Sequence, residues 1–435
     1  MKVNIIIVAP YSPKWTNIAS LRWASIAKYL SYHHKVSIIT SSFPQKLSDK
    51  PPDLGNTELV EVPLLFYRRK QHLDGDGKQA GVLSKSSIFR KIKAELRVPL
   101  ERFFPISSGG VLYHDIRRYY FEIEKRLDSN TFNVLITSYD PWFSLRLGKK
   151  FKKMFGQDLL WIADFRDPSF NIHESQLSKA KVFETSTKRM IEYSDMVTVV
   201  TETLQKEYKR ISKSDVIFLP NGYEGELDAL EARSAKAKEK NKLTIAYTGS
   251  LHPVTVDILP FLPVLRLVKE NYSDIRVEFL YAGSQYKIVE EEFKKFGLDS
   301  SLQNRGFVKR QEALEFQRKS DLLLLIAYTG DNIQIGKGVR TGKVYEYLAS
   351  GKPIIAVAPN SWEMREEIEL DGVSKVFNKW ETKEMAQYIV ELAKRTDITI
   401  DTEKRRRIVE KYLYENIALE LEKKILELLQ EKTVK

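Results

Sequence analysis

The chain begins Met-Lys-Val-Asn-Ile-Ile-Ile-Val-Ala-Pro, and the unbroken apolar run inside this segment constrains the fold more than any other stretch. A strand with one solvated face alternates apolar and polar residues. A strand that is apolar throughout is covered on both faces, as in a parallel sheet flanked by helices. The run is too short for a signal peptide or a membrane span. The same sign recurs at Lys35–Thr40, Val134–Thr137, Leu159–Ile162 and Met196–Thr201. Helical spacing lies between the first two, at Ser20–His33, with Leu21, Ala24, Ile26, Ala27 and Leu30 near one side. Strand–helix–strand alternation of this kind builds a parallel sheet with right-handed crossovers.

A second series follows, with strands expected at Leu243–Thr248, Val277–Tyr281, Leu322–Ala327 and Pro353–Val357. Helical stretches at Leu259–Asn271, Lys287–Phe296, Gln311–Arg318 and Lys343–Ser350 separate them. At 435 residues the chain is too long for one ordinary core and suits two α/β domains. The expected organisation is an N-terminal domain over 1–223, a linker over 224–242 and a second domain over 243–401, ending in an amphipathic helix over 402–435. Its apolar stripe is Ile408, Leu413, Ile417, Leu421, Ile425 and Leu428, which can pack back on the N-terminal domain. The fold class is therefore α/β, two doubly wound domains facing each other across a cleft, with ligands bound beyond the carboxyl ends of the strands.

Composition removes several chemistries. The chain has no cysteine, which excludes disulfides, zinc–thiolate sites and cysteine catalysis. None of the six histidines stands in a metal-binding spacing; His173 and His252 follow strand-end loops. The net charge is +12, and half of it sits between Phe66 and Phe104, where ten basic residues face four acidic ones. Within that stretch, residues 86–104 set Phe89, Ile92, Leu96, Leu100, Phe103 and Phe104 among arginines and lysines, a composition suited to an anionic membrane surface. No zinc finger, RNA-recognition signature or basic helix-turn-helix accompanies the charge, so nucleic acid is not an expected partner.

The segment with the most chemistry is Thr341-Gly342-Lys343-Val344-Tyr345-Glu346-Tyr347-Leu348-Ala349-Ser350-Gly351-Lys352-Pro353-Ile354-Ile355. It reads as a loop, a short helix, a glycine C-cap and a buried strand. Free N–H groups at the helix start suit a diphosphate, Lys343 adds a full charge there, and Glu346 can accept from ribose hydroxyls. The plain alternative is an amphipathic helix with solvated Lys343 and Glu346.

This segment resembles the donor-site signature of family 4 retaining glycosyltransferases of the GT-B fold, bacterial-type enzymes of cell-surface glycan synthesis. In that signature two glutamates separated by seven residues precede a Leu-Ala-Ser/Ala-Gly-Lys-Pro run. Glu346 matches the second glutamate, while Gly338 stands at the position of the first. Ala246-Tyr247-Thr248-Gly249-Ser250 resembles the strand and glycine loop that open the donor domain, but without the arginine and lysine that usually follow; Arg340 and Lys343 are the candidates to replace them. Tyr281-Ala282-Gly283-Ser284 and Arg305-Gly306-Phe307-Val308 resemble loops flanking the nucleotide base.

The resemblance implies a metal-independent glycosyltransferase of the hexosyltransferase type, needing no cofactor. It would move a sugar, with retention, from a nucleotide-sugar donor to a glycan or a lipid-pyrophosphate-linked saccharide. The implied location is cytoplasmic, including peripheral attachment to the inner face of the plasma membrane. The donor set is then Gly249, Ser250, Gly283, Phe307, Val308, Arg340, Thr341, Gly342, Lys343 and Glu346. Asn17, Arg22, Tyr139 and Asp164 are the acceptor candidates, and Arg166, Asp167 and Lys343 the catalytic ones; no metal ligand is expected. Asp164 and Asp167 flank Arg166 in a strand-end loop, where the pair either serves an acceptor hydroxyl or braces the loop. The alternative function is a catalytically degenerate GT-B partner, or nucleotide-sugar-binding subunit, motivated by Gly338.

Overall fold

The computed structural model describes residues 1–14, 18–42, 52–63, 113–139, 142–167, 177–225, 238–252 and 255–434. Asn17, His173, the basic segment 86–104 and positions 226–237 of the expected linker lie outside the described residues. The chain divides into two compact units: Met1–Val200 with Leu204–Pro220 and Ile417–Lys435, and Thr201–Thr203 with Asn221–Asn416.

The first unit is built on a seven-stranded, wholly parallel sheet in the order β3-β2-β1-β4-β5-β6-β7. Its strands are β1 (Asn4–Val8), β2 (Lys35–Ser42), β3 (Glu58–Pro63), β4 (Asn133–Tyr139), β5 (Leu159–Phe165), β6 (Met196–Val199) and β7 (Asp215–Phe218). Every residue of β1 and β5 is buried, as the apolar opening run predicts for a central strand covered on both faces. Helices Tyr113–Glu124, Phe143–Phe155, Leu177–Ile191 and Glu202–Ile211 contribute to one core with these strands, through Tyr119, Phe143, Phe151, Ile191, Tyr208 and Ile211. One contact in that core decides a residue type. A Cβ on Gly148, in the middle of its helix, would overlap the indole of Trp161, whose Nε1 donates to Thr137 Oγ1 at 2.9 Å.

The second unit holds a six-stranded parallel sheet, β10-β9-β8-β11-β12-β13. Its strands are β8 (Lys242–Thr248), β9 (Arg276–Ala282), β10 (Leu302–Asn304), β11 (Leu322–Ile326), β12 (Ile354–Val357) and β13 (Lys375–Phe377). The strand order reverses at β8: the chain steps outward to β9 and β10, then returns to β11 on the other side.

The expected single tail helix is corrected by the structure. It is two helices, Thr402–Lys411 and Tyr414–Val434, because the backbone at the join pairs with Tyr223. Tyr223 N–H donates to the Tyr412 carbonyl at 2.8 Å, and Tyr414 N–H donates to the Tyr223 carbonyl at 3.1 Å. The apolar stripe runs through this join, so periodicity alone does not reveal it. No helix among the described residues is long and apolar enough to cross a membrane.

Candidate functional site

The carboxyl ends of β8, β9 and β10 are laced together by glycine backbone. Gly249 N–H donates to the Ala282 carbonyl at 2.7 Å, and Gly283 N–H donates to the Gly306 carbonyl at 2.8 Å. Gly249 has φ +119°, a conformation side-chain-bearing residues rarely adopt, and a Cβ there would overlap Cε of Lys343. Glycine at this position lets the lysine lie across the loop. The place is the strand-order switch point of the sheet, where ligands of doubly wound folds bind.

Lys343 begins the helix Lys343–Ala349 and reaches back to this loop. Its ammonium donates to the Ser250 carbonyl at 3.3 Å and stands 5.0 Å from the ring centre of Tyr247. Tyr247 also donates to the Ser250 carbonyl, at 2.9 Å, and stacks parallel to Tyr281 with ring centres 5.9 Å apart. Burial pushes the Lys343 pKa down to about 8, with only a partial opposing effect from Glu346. No carboxylate forms an ion pair with it among the described residues. A partly desolvated cation without a counter-charge is expensive, and an anion docking on the loop would relieve that cost.

Glu346 lies one turn further along. Its Oε1 accepts from Arg310 Nε at 3.0 Å and from Nη2 at 2.8 Å, which fixes the carboxylate plane and leaves Oε2 for a ligand. The last turn of the helix is held in two places. The Tyr347 hydroxyl accepts from Thr248 N–H at 3.0 Å, and burial pushes its pKa up to about 12. Beyond the last turn, Arg405 Nη1 donates to the carbonyls of Leu348 at 3.1 Å and Lys352 at 3.3 Å, while its Nη2 pairs with the fully buried Asp371. Thr341 and Gly342 lead into the helix, with Val344 N–H donating to the Thr341 carbonyl at 3.1 Å. Phe307 presents an exposed ring just past Gly306, with Val308 half-buried beside it. Ser250 and Ser284 hydroxyls meet at 3.1 Å over the loop, and His252 closes the next turn through its backbone with an exposed side chain.

Several expectations are corrected. Arg340 does not face the glycine loop: its guanidinium is buried, paired with Glu363 and donating to Tyr412 Oη at 3.0 Å. A cation already neutralised in the interior does not supply charge to a diphosphate. Arg22 and Asp164 are both fully buried and belong to the frame of the first unit. Asp164 Oδ1 accepts from Arg22 Nη2 at 3.1 Å and Thr198 Oγ1 at 2.7 Å; Oδ2 accepts from Trp23 Nε1 at 3.1 Å and Ser138 Oγ at 2.7 Å. Four donors fill that carboxylate, and Arg22 spends a further N–H on the Pro220 carbonyl, so neither holds an acceptor hydroxyl. Tyr139 is buried between Trp142 and Phe165, with ring centres 5.0 and 5.5 Å away. Asp167 is the exposed carboxylate of its loop. Arg166 donates to its Oδ2 from Nε at 3.1 Å and Nη2 at 2.9 Å, and stacks over Tyr11.

The structure thus joins Gly249, Ser250, Gly283, Lys343 and Glu346 in one place. It adds Arg310, which sequence reasoning missed because the partners lie 36 positions apart. Gln317 is a second addition: its amide donates to Thr248 Oγ1 at 2.9 Å and steadies the end of β8. Among the described residues no group of three His, Asp or Glu side chains is placed to hold a metal ion.

No family model and no curated protein matches the sequence. Solved structures do match, over nearly the whole chain. A sucrose-phosphate synthase from Thermosynechococcus elongatus aligns with TM-score 0.61 at 13% identity, covering 98% of this chain and 99% of that one. A trehalose-6-phosphate protein from E. coli, bound with UDP-2-fluoro glucose, aligns with TM-score 0.57 at 13% identity over 99% of each chain. A TarM variant from S. aureus, in complex with fondaparinux, alpha-GlcNAc-glycerol and UDP, aligns with TM-score 0.57 at 11% identity, covering 98% of this chain and 99% of that one. At such low identity the likeness speaks for architecture, and the architecture is the α/β GT-B fold.

Proposed function

We propose that the chain is a glycosyltransferase that binds a nucleotide-sugar donor on the second unit, at the Gly249 loop. The observation that carries this reading is Lys343, a half-buried ammonium with no carboxylate ion pair among the described residues, held over a positive-φ glycine at the strand-order switch point. The diphosphate takes its place against Lys343 at the Gly249 loop, and the free Oε2 of Glu346 accepts from the ribose. Phe307 and Val308 flank the base. As the bond to the sugar breaks, negative charge grows on the leaving diphosphate beside Lys343, and electrostatic stabilisation of that kind is usually the largest catalytic contribution. The UDP and UDP-2-fluoro glucose in two structures of the same fold support this class of donor.

The finer reading follows the resemblance: transfer with retention by front-face attack, to a glycan or lipid-linked saccharide of the cell surface, on the cytoplasmic side of the membrane. Asp167, the exposed carboxylate of the β5 loop, is the residue we assign to the acceptor proton, with Arg166 holding it in place.

A thermal-shift screen with UDP-, GDP-, dTDP- and ADP-sugars tests the site. A donor present at about 100 times its Kd stabilises a protein by roughly 2.7 kcal/mol, a shift of several degrees. We expect one donor class to do so, and Lys343→Ala and Glu346→Ala each to abolish the shift. Unchanged shifts in both variants would remove the donor from this site.

A second reading, a partner subunit that binds donor without turnover, is favoured by two observations. Gly338 carries no side chain where the resemblance places a glutamate, and Arg340 is diverted into its pair with Glu363. Release of free nucleoside diphosphate in the presence of an acceptor decides between the two.

A further inference from the structure

The helix Phe143–Phe155 carries Arg146, Lys149, Lys150, Lys152 and Lys153 and not one acidic residue. Its inner side, including Phe143, Leu147 and Phe151, is buried in the core of the first unit, so the cations gather on the remaining side. Lys150 and Lys153 are exposed, and no carboxylate pairs with either among the described residues. Their partners are aromatic rings: Lys150 stands 4.2 Å from the ring centre of Tyr120 on one side, and Lys153 stands 4.6 Å from that of Tyr193 on the other. Lys149 also approaches Tyr193, at 5.2 Å, and Lys188 and Arg189 of the neighbouring helix add two further exposed cations.

Large apolar groups stand exposed on the same face. Met154 is 51% exposed, Phe121 46% and Tyr193 42%. Met154 and Phe121 are contiguous through Tyr120, whose hydroxyl reaches Met154 Sδ at 3.7 Å and whose ring lies 5.9 Å from that of Phe121, while Tyr193 lies against Lys149 and Lys153. Large apolar side chains exposed on a soluble unit mark an interaction surface when they cluster. The Lys150 and Lys153 ammoniums rest against aromatic rings, which sets cationic and aromatic groups side by side, a pairing suited to a water–apolar boundary.

We propose that this face, the Phe143–Phe155 helix with Phe121 and Tyr193 at its flanks, docks the first unit on an anionic lipid surface. Charge complementarity selects the occupant: Lys149 pairs with Glu192 and Lys152 with Asp195, but the exposed Lys150, Lys153, Lys188 and Arg189 leave a positive face suited to a dense array of negative charge, and the exposed methionine and phenylalanine need an apolar layer beneath it. A nucleic-acid strand fits less well. It would need open aromatic faces for base stacking, and here lysines already occupy the rings of Tyr120 and Tyr193. The inference does not depend on the glycosyl-transfer reading, because every residue in it belongs to the first unit.

Cosedimentation of the full chain with vesicles tests it. The wild-type protein is expected to bind vesicles of phosphatidylcholine with phosphatidylglycerol, to ignore pure phosphatidylcholine, and to lose affinity as salt rises. Neutralising a lysine at an anionic surface weakens binding roughly fivefold, so Lys150→Gln with Lys153→Gln should cost on the order of 25-fold. Phe121→Ser with Met154→Ser should reduce the binding that persists at high salt. All four side chains are exposed, so folding should be unchanged, which a thermal melt checks. The same exchange at the exposed Lys294 and Lys295 of the second unit should leave vesicle binding intact. Equal binding by the wild type and the Lys150/Lys153 variant would overturn the proposal. So would absence of wild-type binding to anionic vesicles at low salt, or a preference for RNA over them.

Discussion

Lys343 carries its own pH signature, because burial rather than an ion pair sets its protonation. Its folded-state pKa, about 8, lies below the value of about 10.4 in an unfolded chain. The folded protein therefore holds this proton less tightly than the unfolded one. The protonated lysine costs stability below pH 8, and the cost fades as pH climbs from about 8 toward the unfolded value. A diphosphate bound beside the ammonium reverses the preference and raises the pKa. Affinity for the nucleoside diphosphate should then be level below pH 8 and fall above it, by up to tenfold per pH unit. Calorimetric titration at pH 7, 8 and 9 measures this. Lys343→Ala should bind weakly at all three values, and a parallel fall in both proteins would show that some other group titrates. Residues of this kind differ in how readable they are. Lys343 and Glu346 are legible because they belong to one short motif. Arg310 is not, because only the fold brings it to Glu346. Arg340 and Asp164 mislead for the opposite reason: a charged residue beside a recognisable motif looks available until its buried partners are seen.

At the scale of elements, a helix is judged by what it packs on. Glycine inside a helix usually weakens it by about 1 kcal/mol relative to alanine, so Gly148→Ala would stabilise an isolated helix. In this unit the added methyl group would overlap the indole of Trp161, which is fully buried and tied to Thr137. Overpacking of this sort costs about 1–3 kcal/mol, enough to lower Tm by several degrees. We expect Gly148→Ala to melt earlier than wild type, by scanning calorimetry. An equal or higher Tm would mean the indole can move aside cheaply. Strands β1 and β11 are legible because burial on both faces leaves a run that is apolar almost throughout, and β4, β5 and β8 keep shorter apolar runs interrupted by Thr137, Asp164 and Thr244. Strands β10 and β13 are three residues each, too short for any period to show. The join at Tyr412–Leu413 is hidden for a different reason: it is made by a backbone bridge to Tyr223, which side-chain spacing does not record.

For the whole molecule, the chain does not finish where its second sheet does. After Asn416 it returns to the first unit, where Ile417, Leu421, Ile425 and Leu429 are each at most 3% exposed. Polar contacts reinforce the seat. Glu422 sits 3.0 Å from His34 Nε2 and 3.1 Å from His33 Nδ1, and Lys432 pairs with Asp195 at 2.8 Å. Burying one such aliphatic side chain stabilises by about 1.5–3 kcal/mol, so four of them amount to roughly 6–12 kcal/mol. That is comparable to the whole folding free energy of a domain, about 5–15 kcal/mol. A chain ending at Asn416 should therefore lose the ordered first unit while keeping the second, whose core is its own. Gly249, Arg310, Lys343 and Glu346 all lie in that second unit. The truncated chain should show rapid proteolysis confined to the first unit, up to Pro220, and a missing calorimetric transition. It should still gain stability from the same nucleoside diphosphate as the full chain. An unaltered melting profile would make the terminal helix dispensable, and loss of the nucleotide-induced shift would show that the donor site needs the first unit as well.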